Sequence, residues 1–256
     1  MDAVIDIRNV GLAFEREGRR VEVLAGLDLR IERGAFVALV GASGVGKSTL
    51  LRVLMGLAPA SAGEIDIATT SARRQPFALV FQDARLLPWR RVIDNVAFGL
   101  EGSGIGKAER RARALEKLRL VGLAELAQRW PHQLSGGQRQ RVALARALCV
   151  EPEVLLMDEP FSALDALTRE TLQDELTRIW RETGKTIVFV THDIEEASYL
   201  ADRVVVLAGA PGRRVADIAI DLPRPRDRAR RNEDVETTVR RHLAGVDEPL
   251  MDGAGV

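Results

Sequence analysis

The sequence predicts an α/β fold with a mainly parallel sheet, preceded by an antiparallel β region and interrupted by a helical insertion. Three observations carry this reading. Short apolar runs at Phe36–Val40, Ala78–Phe81, Val154–Met157, Ile187–Val190 and Val204–Leu207 have the length of parallel strands buried on both faces. Helical patterns stand between them at Lys47–Gly56, Lys107–Val121, Ser135–Val150 and Leu167–Thr183, and such alternation is the mark of an open α/β sheet. From Leu86 to about Val150 helices occur without a convincing strand, which marks an inserted helical subdomain.

The elements follow in order. Val4-Ile5-Asp6-Ile7-Arg8 alternates apolar and polar, Gly11–Phe14 continues, and Glu17-Gly18-Arg19-Arg20 reads as a hairpin turn. Val21–Leu24 and Leu27–Ile31 then predict further short strands, and Glu32-Arg33-Gly34 turns the chain into Phe36–Val40. Beyond Leu207, Pro211-Gly212 is a turn, Val215–Leu222 predicts a last strand pair, and Pro223-Arg224-Pro225-Arg226 stops regular structure. Asp227–Ala244 reads as a charged surface helix, with Asp and Glu between its arginines making a solvated face rather than a nucleic-acid patch. The last dozen residues are expected to fray.

Composition narrows the function classes. A chain of 256 residues with 46% apolar side chains can bury one sizeable core. Its 37 basic and 37 acidic residues cancel, so charge gives no argument for nucleic acid or anionic lipid. No apolar run approaches the roughly 18–20 residues that span a bilayer. Met1–Asp6 lacks the basic start of a secretory signal. Cys149 is the single cysteine, in an apolar setting that predicts inert packing. The expectation is a cytoplasmic protein.

Chemistry enters at Gly41-Ala42-Ser43-Gly44-Val45-Gly46-Lys47-Ser48, with Thr49 next. The spacing fits a phosphate-binding loop, set directly after a buried strand and directly before a helix. Glycines let backbone N–H groups turn toward phosphate, and the helix adds its positive end. Lys47 is placed to reach the β- and γ-phosphates, and the Ser48 hydroxyl to ligate Mg²⁺. A P-loop NTPase core follows from this motif, which points to a bound nucleotide and says little about what the nucleotide does. The run Val154–Met157 ends in Asp158-Glu159. Carboxylates at the C-terminal end of a buried strand stand where open α/β sheets bind ligands. Asp158 suits the Mg²⁺ shell, directly or through water, and Glu159 suits a general base acting on water.

Between these motifs stands Leu134-Ser135-Gly136-Gly137-Gln138. Ser135 reads as an N-cap, and two glycines free N–H groups at the head of a helix, an anion-binding end without a phosphate loop of its own. With this stretch the chain resembles the ABC ATPases over residues 4–222. The resemblance implies a domain over residues 1–225, with the helical subdomain at about 86–150, and a C-terminal surface extension over 226–256. It implies a homodimer in which Ser135, Gly136, Gly137 and Gln138 of one copy close on the γ-phosphate held by the other. It also implies that Gln82 senses Mg²⁺ and water, His192 faces the γ-phosphate, Ser162-Ala163-Leu164-Asp165 crosses to the second copy, and Phe14 stacks on adenine. His132 and His242 have no such placement.

Arg85-Leu86-Leu87-Pro88-Trp89, Val92–Glu101, Pro211-Gly212-Arg213 and Asp221–Arg228 are similar to the ATPases of nitrate, taurine and aliphatic-sulfonate importers. Thr69–Pro76 departs from that branch's Asp-Gly and Gly-Pro-Gly pattern. The branch resemblance implies integral membrane permease subunits, an external solute-binding protein, and a peripheral place on the cytoplasmic face of the membrane, with no nucleic-acid partner. Leu86, Leu87 and Trp89 then read as anchors on the permease, as local packing, or as both. Two other classes share parts of the pattern: an ABC machine acting on nucleic acid or ribosomes, and a phosphotransferase. The first usually carries fused ATPase modules or a long coiled coil, and neither is present in this sequence.

Overall fold

The computed structural model describes residues 2–16, 18–69, 76–228 and 232–245. The chain divides into two compact units, Met1–Ala68 with Val190–Val256, and Thr69–Phe189.

The first unit opens with β1 (Ala3–Arg16) and β2 (Arg19–Glu32), followed by β3 (Phe36–Val40), α1 (Lys47–Leu54) and β4 (Ala62–Ile67). β1 pairs antiparallel with β2 on one side and β4 on the other. Four short strands were expected where two long ones stand. Register shifts between Ile7 and Ala13 break the alternation that sequence patterns rely on, without breaking the ladder. The expected turn residue Glu17 lies outside the described residues. β4 has no clear sequence signal, since Ala62-Gly63-Glu64-Ile65-Asp66-Ile67 is almost wholly exposed. Every residue of β3 is buried, as its apolar run predicts. Burial of each of its larger side chains contributes about 1.5–3 kcal/mol.

The second unit contains β5 (Phe77–Val80), α2 (Val92–Ala97), α3 (Lys107–Leu120), α4 (Gly136–Cys149), β6 (Val154–Asp158) and α5 (Ala166–Thr183). β5 and β6 pair in parallel, Phe77 with Val154 through Val80 with Met157. Between Val92 and Cys149 the described regular structure is helical, as expected. Cys149 is buried, and desolvation pushes its thiol up to about 11, so it is protonated at neutral pH. Positions 70–75, which include most of the Thr69–Pro76 departure, lie outside the described residues.

β7 (Thr186–Thr191) is buried throughout and leads back into the first unit, where α6 (Ile194–Leu200), β8 (Arg203–Ala208), β9 (Arg213–Ala219) and α7 (Glu233–Ala244) complete the chain. β8 pairs in parallel with β3 and antiparallel with β9. The expected strand pair at Val215–Leu222 is therefore a single edge strand, β9. α7 starts later than the charge pattern implied, at the Asn232 cap, whose side-chain oxygen accepts from the Val235 N–H at 3.4 Å. It is not a wholly solvated helix: Val235, Glu236 and Val239 are buried. The expected frayed end, from 246 onward, lies outside the described residues.

Candidate functional site

The phosphate loop belongs to the first unit. β3 ends at Val40 and α1 begins at Lys47, so the chain must turn within six residues. Gly46 caps α1 with φ at 104°, a left-handed conformation that a side chain disfavours, and a Cβ there would stand 2.8 Å from the Leu24 side chain. Lys47 is only 4% exposed. Its Nζ donates to the Gly41 and Ala42 carbonyls at 2.6 and 2.9 Å, which folds the ammonium back across its own loop. Ser48 and Thr49 occupy the first turn of α1, half-buried, while Ala42, Ser43 and Gly44 face outward.

His192 follows the last residue of β7 and is exposed. The turn that carries it is fixed on both sides. Asp193 accepts from the Glu195 and Glu196 N–H groups at 2.9 and 3.1 Å, and the Thr191 hydroxyl donates to Glu196 at 2.8 Å. The Asp193 N–H in turn donates to the Thr191 oxygen at 3.0 Å. His192 and Gly41–Val45 line one cavity of about 750 Å³, together with Val21 of β2. Phe14 pairs with Val21 across the ladder and is 43% exposed, so its ring is open to a stacking partner.

The second unit holds the carboxylates and the signature. Asp158 closes β6, and Glu159 follows it with φ at 45°. A non-glycine residue in the left-handed region at a strand end is strained, and such strain concentrates at functional sites. The Glu159 carbonyl accepts from the Ser162 N–H at 3.3 Å and hydroxyl at 2.9 Å, which holds the turn. Gln82 is exposed just beyond β5.

The predicted cap at Ser135 is present as a reciprocal pair. Ser135 Oγ accepts from the Gln138 N–H at 3.2 Å, and Gln138 Oε1 accepts from the Ser135 N–H at 3.0 Å. The Gln138 carbonyl oxygen is thus committed to its own helix end. Gly137 is buried, and a Cβ on it would collide with the Thr168 side chain, which explains a residue without one at this position. Asp165, at the head of α5, accepts from the Thr168 N–H at 3.0 Å, a bond that holds its carboxyl below the usual carboxylate range.

Three side chains that sequence reasoning passed over position the segment between Gln82 and Trp89. Gln140 Nε2 donates to the Phe81 carbonyl at 2.9 Å. Arg146, on the same helix, donates to the Ala84 and Arg85 carbonyls at 2.7 and 2.8 Å, and its burial holds the guanidinium below the usual arginine range. Asn95 is fully buried, accepts from the Leu87 N–H at 2.7 Å and donates to the Leu87 and Arg90 carbonyls at 3.1 and 3.0 Å. Leu86 and Leu87 are half-buried in consequence, and Trp89 alone of the three expected anchors is widely open, at 70%. A signal existed: Gln140 falls on the buried stripe of Gly137, Leu144 and Leu148, where a polar side chain implies a satisfied buried hydrogen bond. Gln140→Leu is expected to strand the Phe81 carbonyl and cost about 1–3 kcal/mol, read as a lowered denaturant midpoint.

These features find their counterparts among known proteins. A family model described as ABC transporter matches residues 24–162, from within β2 through the signature and both carboxylates. The chain belongs to the ABC transporter family. It binds ATP and hydrolyses it, as the ATPase subunits of this family do. The aliphatic sulfonates import ATP-binding protein SsuB of Pseudomonas entomophila (strain L48) is 55% identical over 210 residues, 81% of this chain and 74% of the relative. The taurine import ATP-binding protein TauB of Rhizobium johnstonii is 51% identical over 212 residues, 82% of this chain and 80% of the relative. These relatives bear out the branch resemblance read from residues 85–101 and 211–228. Among solved structures, the dimeric post-hydrolysis state of the ATP-binding cassette MJ0796 bound to ADP and Pi is 34% identical. It aligns with a TM-score of 0.74 over 86% of this chain and all of that one. Among the described residues, no helix is long and apolar enough to cross a membrane.

Proposed function

We propose that this ATPase powers uptake of taurine, an aliphatic sulfonate or a similar small solute such as nitrate. It works as a homodimer docked peripherally, on the cytoplasmic face of the membrane, beneath separate integral permease subunits supplied by an external solute-binding protein. Relatives named for sulfonate and taurine import, at 51–55% identity, support the cargo class. The domain is residues 1–225, with a helical subdomain at about 86–150 and an extension at 226–256. The exposed Trp89, on a segment pinned by Asn95, is the permease-facing anchor.

In the reaction, Gly41–Thr49 hold the triphosphate, with Lys47 on the β- and γ-phosphates, and Phe14 stacks on the base. The Ser48 hydroxyl, the Asp158 carboxylate and the Gln82 carbonyl are hard oxygen donors of the kind Mg²⁺ takes, and would hold it. Among the described residues no group of three or more His, Cys, Asp or Glu could hold a metal by itself. Mg²⁺ needs none, because it binds through one or two protein oxygens, substrate phosphates and water. When bound it neutralises charge on the β- and γ-phosphates. Glu159 takes the proton from the attacking water, and His192 hydrogen-bonds the γ-phosphate. The Ser135–Gln138 helix end of a second copy closes over that phosphate and stabilises the charge that develops there.

The observation that carries this reading is the capped end of α4, where Ser135 and Gln138 are locked to each other at the head of the helix and Ser135, Gly136 and Gln138 remain at least partly exposed. Replacing Glu159 by Gln in cells that carry the gene tests the cargo. Uptake of whichever of radiolabelled taurine, an alkanesulfonate or nitrate is the cargo should stop, and undiminished uptake of all three would refute the assignment.

A further inference from the structure

We propose that α7 forms the outer wall of the nucleotide pocket and that Arg240 holds ATP there through its triphosphate. The inference rests on the reading of Gly41–Ser48 as the ATP cradle and assigns a task to a helix outside the segment matched by the family model. The cavity of about 750 Å³ over the phosphate loop has four walls within the first unit. They are the loop itself, β2 through Val21, Glu22 and Val23, the turn at 208–212, and α7 through Arg240, Leu243 and Ala244, with His192 also on the lining. Its size is that of a small-molecule site.

Each wall is fixed in place. The turn at 208–212 is tied to β2, since the Gly212 N–H donates to the Val23 carbonyl at 2.9 Å and the Ala25 N–H donates to the Gly212 carbonyl at 3.1 Å. α7 is docked by Val239, fully buried, and by Val235 and Glu236, 9% and 6% exposed. Positions 236, 240 and 243 share one face of the helix. The Glu236 carboxylate is therefore a buried anchor one turn before Arg240, with Arg240 Nη2 3.3 Å from Glu236 Oε2. The Arg240 side chain remains 58% exposed, and its planar fork keeps donors available beyond that one bond.

The chemistry of the walls selects a nucleotide. Val21, Val23 and Leu243 give an apolar lining suited to a base and ribose. The phosphate loop gives N–H groups, and a guanidinium is the side chain best matched to polyphosphate oxygens. The last turn of α7 carries the partial negative charge of a helix C-terminus. Arg241 in that turn and Arg240 just before it offset this charge, so the helix end does not repel the triphosphate.

A titration of the full-length chain with a fluorescent ATP analogue tests this, using wild type, Arg240→Ala, Arg240→Glu and Lys47→Ala. Arg240→Ala should raise Kd roughly three- to tenfold, and Arg240→Glu more, with a shallower salt dependence than wild type for the alanine variant. Unchanged affinity in Arg240→Ala would overturn the inference, and so would a loss confined to Arg240→Glu, which a misplaced carboxylate explains by itself. Both substitutions remove the partner of the Glu236 carboxylate, so the melting temperature of each variant is read beside its Kd. If Arg240→Ala melts below wild type, Arg240→Gln, which keeps a donor for Glu236, takes its place with the same expected rise in Kd and the same overturning result. Loss of binding in Lys47→Ala with none in Arg240→Ala sinks only the role of α7, whereas binding unaffected by Lys47→Ala sinks the cradle on which it stands.

Discussion

Glu159→Gln should cut ATP turnover by roughly 10²–10⁴-fold while leaving ATP binding intact, the loss expected when a general base is replaced by its amide. The expectation follows from where the chain places the carboxylate. β6 is buried to its last residue but one, so the first position free to meet water and phosphate is the strand end. There the backbone enters the left-handed region at Glu159, and two bonds from Ser162 to the Glu159 carbonyl keep it there. That conformation costs energy for a residue with a side chain, and it aims the carboxylate differently from an extended continuation of the strand. The amide keeps the size and the turn but cannot accept a proton. Phosphate release measured beside fluorescent-nucleotide binding separates the two effects. Unchanged turnover would remove Glu159 as the base.

Lys47→Ala should weaken ATP binding itself, by about 10²-fold, since charge-assisted hydrogen bonds are worth about 1.5–3 kcal/mol each. Lys47 already bonds to the Gly41 and Ala42 carbonyls at 2.6 and 2.9 Å, so its ammonium is held at the centre of the loop. Only four of the 37 basic residues are lysines, which makes one at this position less easily ascribed to chance. Removing it takes away both the charge for the phosphates and the strut that keeps the loop folded. Binding at wild-type affinity would show that the loop does not carry the triphosphate.

Much of this was legible in the sequence because the signals are local. The apolar runs at Phe36–Val40, Val154–Met157 and Ile187–Val190 appear as strands within a residue at each end, since full burial leaves no polar position to blur them. The phosphate loop, the Ser135 cap and the acids at the end of β6 are motifs whose residue types are dictated by backbone geometry. What escaped was set by distant contacts. β4 is exposed and exists through its pairing with β1, which periodicity cannot reveal. α6 is seven residues long, too short for a periodic signal. Gln140, Arg146 and Asn95 look ordinary in sequence, and only packing shows that each one grips backbone carbonyls around the segment from Phe81 to Arg90. α7 read as a solvated helix because its charged residues outnumber its apolar ones, yet two valines four positions apart dock it.

The central claim is that each reaction centre draws its phosphate loop from one chain and its signature helix end from another. Mixing two inactive variants measures this directly. Lys47→Ala lacks a working loop, and Ser135→Phe lacks a working helix end, so neither homodimer has a complete site. Random pairing makes half the dimers mixed, each with one intact site of two, and ATP turnover should return to about a quarter of wild type. If the mixture hydrolyses no more ATP than its two components assayed apart, the sites are not shared between chains.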